Sequence, residues 1–370
     1  RARVVLILSV AAFAFGVVGL SRIQVNDNPV KWFKPKQPIR VADKVMNKFF
    51  GGTYMAYLVV KGDKEDAIKN PAAMAYINKL QNRLAKLKIV GKTSSIADIV
   101  KRINYVLHDE NKSFDSVPGK RNEIGQYLFL FSMTGDPNEL DNFIDYGAQK
   151  ANIWVQMKGG DNIQMSRVEG SISAFIKKNP PPEGITVRWS GLTYINKVWQ
   201  NLMVFGMLKA VSGSFFIVFL LMIFEFRSLR LAIISMLPLS FAIISSYGLV
   251  GFVGKDYDMP IAVVSALSLG MAIDFAIHFL QRFRAGYKKY RNIEATNTYI
   301  FQEPARAITR NAIVITFGFL PLLGATLTPY VTVGAFFAIL MVFSFLTTLI
   351  LLPALMRTWG KSLFAKEVSK

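Results

Sequence analysis

Ala266-Leu-Ser-Leu-Gly-Met-Ala-Ile-Asp-Phe-Ala-Ile-His-Phe-Leu280 is apolar enough to cross a membrane, yet it carries Asp274 and His278. An ionisable side chain at the centre of a bilayer costs at least about 2.5 kcal/mol on insertion scales. Four residues apart, the two groups lie on one face of a helix. Nowhere else does the sequence place acid–base chemistry at membrane depth, and the rest of the chain reads as a scaffold around it.

The composition supports a membrane protein. Of 370 residues, 52% are hydrophobic, which exceeds ordinary soluble usage. There is no cysteine, so disulfides, thiolate metal sites and a cysteine nucleophile drop out. The net charge of +20 raises nucleic acid as a partner, but its distribution argues against one. Residues 21–200 hold 27 basic and 17 acidic side chains, well mixed, and much of the remaining excess sits at the ends of apolar stretches. Charge placed there reads as topology. The chain opens on Arg1 rather than Met and shows no cleavable leader, which reads as a start inside a longer polypeptide.

Residues 1–20 contain an apolar run, Val4–Leu20, long enough for a first span. Residues 21–200 are polar and punctuated by Gly and Pro, as in a water-soluble domain. Asp27–Pro38, with three prolines, reads as an extended entry segment. Tyr54–Lys61 has strand character, and Pro71–Lys88 places Met74, Ile77, Leu80, Leu84 and Leu87 at a helical period. A short strand around Ile89–Ser94 precedes an insertion, Ile96–Gly147, with helical pieces around Ile96–Leu107 and Glu123–Met133. Ala151–Lys158 alternates as a strand, Asn162–Lys178 is helical, and Ile185–Ser190 is a last strand. The order β-α-β, insertion, β-α-β predicts a split βαβ, ferredoxin-like domain of α+β class.

Residues 201–370 return to the membrane. The predicted spans are Leu202–Phe224, Leu231–Val253 with Pro238 as a kink, Met259–Leu280, Asn311–Leu327 and Val331–Leu352. The connection 281–310 carries seven Lys or Arg residues, with Tyr287, Tyr290 and Phe301 among them, and reads as a helix on the membrane surface. With six spans starting inside, the segments 225–230, 281–310 and the C-terminus fall inside and are basic. Residues 21–200 fall outside, together with the short turns 254–258 and 328–330. Those turns hold one Lys between them, as the positive-inside rule requires.

One span, a large extracytoplasmic domain and five further spans resemble half of a transporter of the resistance-nodulation-division (RND) superfamily. Phe224-Glu-Phe-Arg-Ser-Leu-Arg-Leu231 followed by Pro238 resembles that family's turn between its second and third spans. Gly270-Met-Ala-Ile-Asp274-Phe275 resembles its Gly-x-x-x-Asp-Tyr motif, and Thr309–Leu323 its fifth span. The branch it is most similar to is the MMPL-like and sterol-sensing-domain group. Val25–Pro29 and Phe49–Gly52 resemble the C-terminal half. The resemblance implies a secondary active transporter of the bacterial inner membrane that needs no cofactor. It also implies a lipid cargo such as a sterol or hopanoid, a second RND half on the same or another polypeptide, and a periplasmic carrier protein. One departure is Phe275, where the family has Tyr, so no phenol stands beside the carboxylate.

Asp274 is the candidate proton-coupling residue. A carboxylate at membrane depth can take up a proton on one side and release it on the other, and intramembrane ionisable groups are functional by default. The plainer alternative is a structural contact with a neighbouring serine, such as Ser240 or Ser246. His278 titrates near neutrality when unperturbed, which suits a proton relay as well as it suits an interfacial histidine without a role. His108, the other histidine, has no ligand spacing around it. Trp154 and Trp189 read as core residues. No phosphate-binding loop is present, so the energy source would be an ion gradient or a partner. Two further readings remain open: a sterol sensor that transports nothing, and a protein-translocation accessory resembling the SecD/SecF pair.

Overall fold

The computed structural model describes residues 2–134 and 137–368. The described chain forms two units, Pro35–Gln200 and a second made of residues 1–34 with Asn201–Lys370.

The first unit begins with α2 (Pro38–Phe49), following α1 (Ala2–Leu20) of the other unit. Its strands are β1 (Tyr54–Gly62), β2 (Val90–Ser94), β3 (Lys150–Met157) and β4 (Ile185–Ser190). They form one antiparallel sheet of order β2-β3-β1-β4, with Leu58 of β1 opposite Ile153 of β3 and Trp189 of β4. This is the strand order of the split βαβ arrangement. Alternation along β1 and β3 turns Ala56, Leu58, Val60, Ile153, Val155 and Met157 into the core. Helices α3 (Pro71–Ala85) and α7 (Asn162–Lys178) cover that face with Met74, Ile77, Leu80, Met165, Val168 and Ile172.

Both helices are started by their sequence. Asn70 accepts from the Ala72 N–H with Pro71 in the first turn, and Asp161 accepts from the Gln164 N–H at 3.0 Å. The insertion is helical, with α4 (Ile96–Leu107), α5 (Arg121–Thr134) and α6 (Pro137–Asp141). Ser95 and Asp98 form a capping box on α4, and Tyr127 of α5 donates to Asn104 of α4 at 3.1 Å. Of the two strand tryptophans, only Trp154 differs from the expectation. Trp189, opposite Leu58, is half-buried and packs against the core as expected, whereas Trp154 stands half-buried on the open face, where it packs edge-on against Tyr57 and donates to the Asn142 carbonyl at 2.9 Å.

The second unit is helical: α1, then α8 (Leu192–Phe226), α9 (Leu229–Val253), α10 (Met259–Tyr290), α11 (Ile293–Gln302), α12 (Pro304–Phe319) and α13 (Thr328–Val368). Five of these are long and apolar enough to cross a membrane. The count is six if α10 is one span, its segments Met259–Ser265 and Leu267–Tyr290 being inclined by 41°. The protein is a multi-pass membrane protein with an α+β domain. Helix α8 is longer than its predicted span. Its Lys209 lies about 26 Å from Phe226 at 1.5 Å per residue, roughly the depth of a hydrocarbon core.

The connection 281–310 also differs from the expectation. Residues 281–290 continue α10, because Phe279, Phe283 and Tyr287 extend its apolar stripe, and Phe283 and Tyr287 pack against Phe364 of α13. Only α11 is separate. Ile293, Thr296 and Ile300 are buried, and Gly286 leaves room for Tyr299 to lie against α10.

Helices α1 and α9 meet through glycines. A Cβ on Gly251 would lie 1.9 Å from the Gly19 carbonyl oxygen, and one on Gly19 would lie 2.3 Å from that of Gly248. Such backbone approach replaces the hydrophobic effect as the source of helix association in lipid. Gly251→Ala is expected to lower thermal stability in detergent by the equivalent of about 1–3 kcal/mol of overpacking. Gly213→Ala on α8, where nothing lies within 4 Å, is expected to leave the unfolding midpoint unchanged or slightly raised. Equal midpoints for the two variants would refute the close-contact reading.

Candidate functional site

Polar side chains leave α10 in two directions. On the inward side Ser265 donates to the Ile261 carbonyl at 2.6 Å, is hydrogen-bonded to Tyr247 of α9, and lies 3.4 Å from the Tyr257 hydroxyl. Ser268 donates to the Ser265 carbonyl at 3.0 Å. From α13, Ser344 reaches the Ala272 carbonyl of α10 at 2.6 Å, and Thr347 reaches the Pro238 carbonyl of α9 at 3.3 Å. Every one of these hydroxyls is satisfied within the bundle.

Asp274 leaves on the other side. Its side chain is exposed on this chain, while the next residue, Phe275, is 1% exposed in the core. Among the described residues, no hydrogen bond or close ion pair reaches Asp274. The expected structural partners are elsewhere: Ser240 donates to the Met236 carbonyl of its own helix, and the Ser246 hydroxyl is buried without a partner. His278 follows one turn on, and the two groups act on each other electrostatically. His278 lines a cavity of 280 Å³ between α10 and α12 with Phe275, Arg282, Pro304, Ile308 and Asn311. The position where the resemblance implies a phenol therefore faces core and cavity, and the polar groups there are His278, Arg282 and Asn311. Among the described residues, no three His, Asp or Glu side chains gather as metal ligands would.

A second polar centre escaped the sequence reading. Residues 21–34, which overlap the segment Asp27–Pro38 read as an extended entry, form a strap tied to the turn before α10. The Tyr257 N–H donates to the Gln24 carbonyl at 2.8 Å, and the Asn26 N–H donates to the Tyr257 carbonyl at 3.3 Å. The Asn26 side chain donates to Asp256 at 3.0 Å. Asp258 caps α10 through the Ile261 N–H at 3.2 Å and pairs with Lys255. Asp27, 8% exposed, accepts from the Trp32 indole at 2.8 Å. Burial pushes its carboxyl above the usual range, opposed by the indole hydrogen bond and reinforced by the nearby Asp258 charge, with Lys255 acting the other way. The one available sequence signal was the run Asn26-Asp-Asn-Pro29, whose side chains favour local caps and turns.

A carboxyl whose folded value is raised adds stability below its unfolded value and loses it as pH climbs through the folded one. Asp27→Asn keeps an acceptor for Trp32 and removes the ionisation. Wild-type protein is therefore expected to lose thermal stability relative to Asp27→Asn as pH rises from about 4 to about 7. Parallel pH curves for the two proteins would refute a raised Asp27.

Two comparisons with known proteins bear on this geometry. The model of the MMPL family matches residues 31–370. A protein of Methanocaldococcus jannaschii, whose name says no more than that it is a candidate membrane protein, is 24% identical over 337 residues. These are 89% of this chain and 81% of the relative.

Proposed function

This chain belongs to the MMPL family, and from that premise we propose that it uses the proton-motive force to export a lipid or similar hydrophobic molecule. Membership itself points to a membrane transporter of hydrophobic substrates rather than an enzyme. The observation that carries the finer reading is Asp274, a carboxylate on the outward face of a spanning helix that no hydrogen bond or close ion pair reaches among the described residues. A charge facing acyl chains is costly, so this face is covered when the protein works. A second half of the same kind is the cover. That half lies on the same polypeptide or on another, and a second copy of this chain is the partner tested below.

In this reading Asp274 carries the proton and His278 relays it toward the cavity beside Arg282. Each charge moved through the membrane potential supplies about 2.3 kcal/mol per 100 mV, and the pH gradient adds to this. The α+β domain lies outside the plasma membrane and passes cargo to a carrier protein.

The test compares membrane lipids in cells with the wild-type protein, with none, and with Asp274→Asn. One lipid species is expected to accumulate in the plasma membrane of both defective strains, with partial recovery in Asp274→Glu. Normal lipids in the deletion strain would overturn lipid export, and normal export by Asp274→Asn would overturn the proton role alone. Because the chain has no cysteine, Leu267→Cys gives a clean probe of the same exposed face, and cross-linking to a second copy in membranes is expected.

A further inference from the structure

Helix α2 buries none of its residues. On its wheel Ile39, Val41, Ala42, Val45, Met46 and Phe49 share one side, and Arg40, Asp43, Lys44, Asn47 and Lys48 share the other. The polar side has work within the domain. Asn47 donates to Asp43 at 2.9 Å, and Thr53, just ahead of β1, donates to Asp43 through its hydroxyl at 2.8 Å and to Asn47 through its N–H at 3.0 Å. The apolar side has no such partner: Val45 is 44% exposed, Phe49 67% and Phe50 63%.

Two observations select the occupant of that side. The first is reach. The strap ends in the membrane unit, where Phe33 pairs with Leu327 between α12 and α13. Helix α2 starts four residues after Lys34, a distance of at most about 14 Å when extended. The second is charge. Residues 34–48 carry Lys34, Lys36, Arg40, Lys44 and Lys48 against Asp43 alone. Basic residues beside an apolar helix face match an anionic bilayer surface. Two copies of α2 packed on each other would instead bring like charges together. The Lys48 ammonium lies 5.0 Å from the Phe49 ring centre, the posture of a cation drawn along an apolar edge.

We propose that α2 is an interfacial anchor, with its apolar side among the acyl chains and its basic residues on anionic lipid headgroups of the bilayer that the same chain spans. The inference is independent of proton coupling and cargo.

The chain lacks cysteine, so full-length Val45→Cys, Phe49→Cys and, from the polar side, Lys44→Cys can each carry a single fluorescent label. The labelled proteins are placed in nanodiscs of phosphatidylcholine alone or mixed with phosphatidylglycerol. Lipid-borne doxyl groups should quench the labels at 45 and 49, aqueous iodide should quench the label at 44, and phosphatidylglycerol should strengthen the doxyl effect. Labels at 45 and 49 open to iodide would overturn the proposal. So would shielding of both from doxyl and iodide alike, which would show that protein covers this side.

Discussion

A bilayer supplies no hydrogen bonds, so each polar group on a spanning helix has to be satisfied by protein, by a proton or by enclosed water. Helix α10 meets this condition in two ways. Ser265 and Ser268 turn inward and are bonded to backbone carbonyls and to Tyr247. Asp274 turns outward, and among the described residues no hydrogen bond reaches it. The inward group lets α9, α10 and α13 pack closely, with Ser344 and Thr347 tying α13 to its neighbours. The outward group leaves an exposed carboxylate on that face of the helix. Hydrogen-bonded hydroxyls and an exposed carboxylate thus occupy opposite sides of one helix.

Much of this was legible in the residues. The strand character of Tyr54–Lys61, the alternation of Ala151–Lys158 and the helical period of Met74, Ile77, Leu80 and Leu84 identify the split βαβ domain because each is a local signal with one structural meaning. The spans were legible from hydropathy. The length of α10 was not, because Gln281–Tyr290 is charged. Its four-residue spacing of aromatics carries the helix onward, and that spacing gains meaning only once Phe364 of α13 packs against it. Helix α2 was missed because Pro38 closes a proline-rich stretch and so looked like the end of an extended segment. It begins a helix instead, proline being at home in a first turn.

Asp274 shows the limit of sequence reading most directly. Spacing alone separates it from Ser265 and Ser268 around the helix, but spacing does not say which side is inward. That is decided by Phe275, Phe279 and Phe283, whose burial against the other helices turns the carboxylate out. The strap shows a different limit. Asn26 and Asp27 find their partners, Asp256 and Trp32, across 230 residues and across five. The shorter contact is a local turn, whereas the longer one joins the segments that follow α1 and α9.

The strap also gives the molecule a mechanical connection. Tyr257, the residue before the cap of α10, is joined by two backbone hydrogen bonds to Gln24 and Asn26. An axial displacement of α10 therefore draws residues 24–26 with it or breaks both bonds. Those residues lead, through Lys34, straight into the α+β domain. Any axial motion of α10 thus has a covalent and hydrogen-bonded drawbar along which to travel, and nothing in its path needs to bind anything.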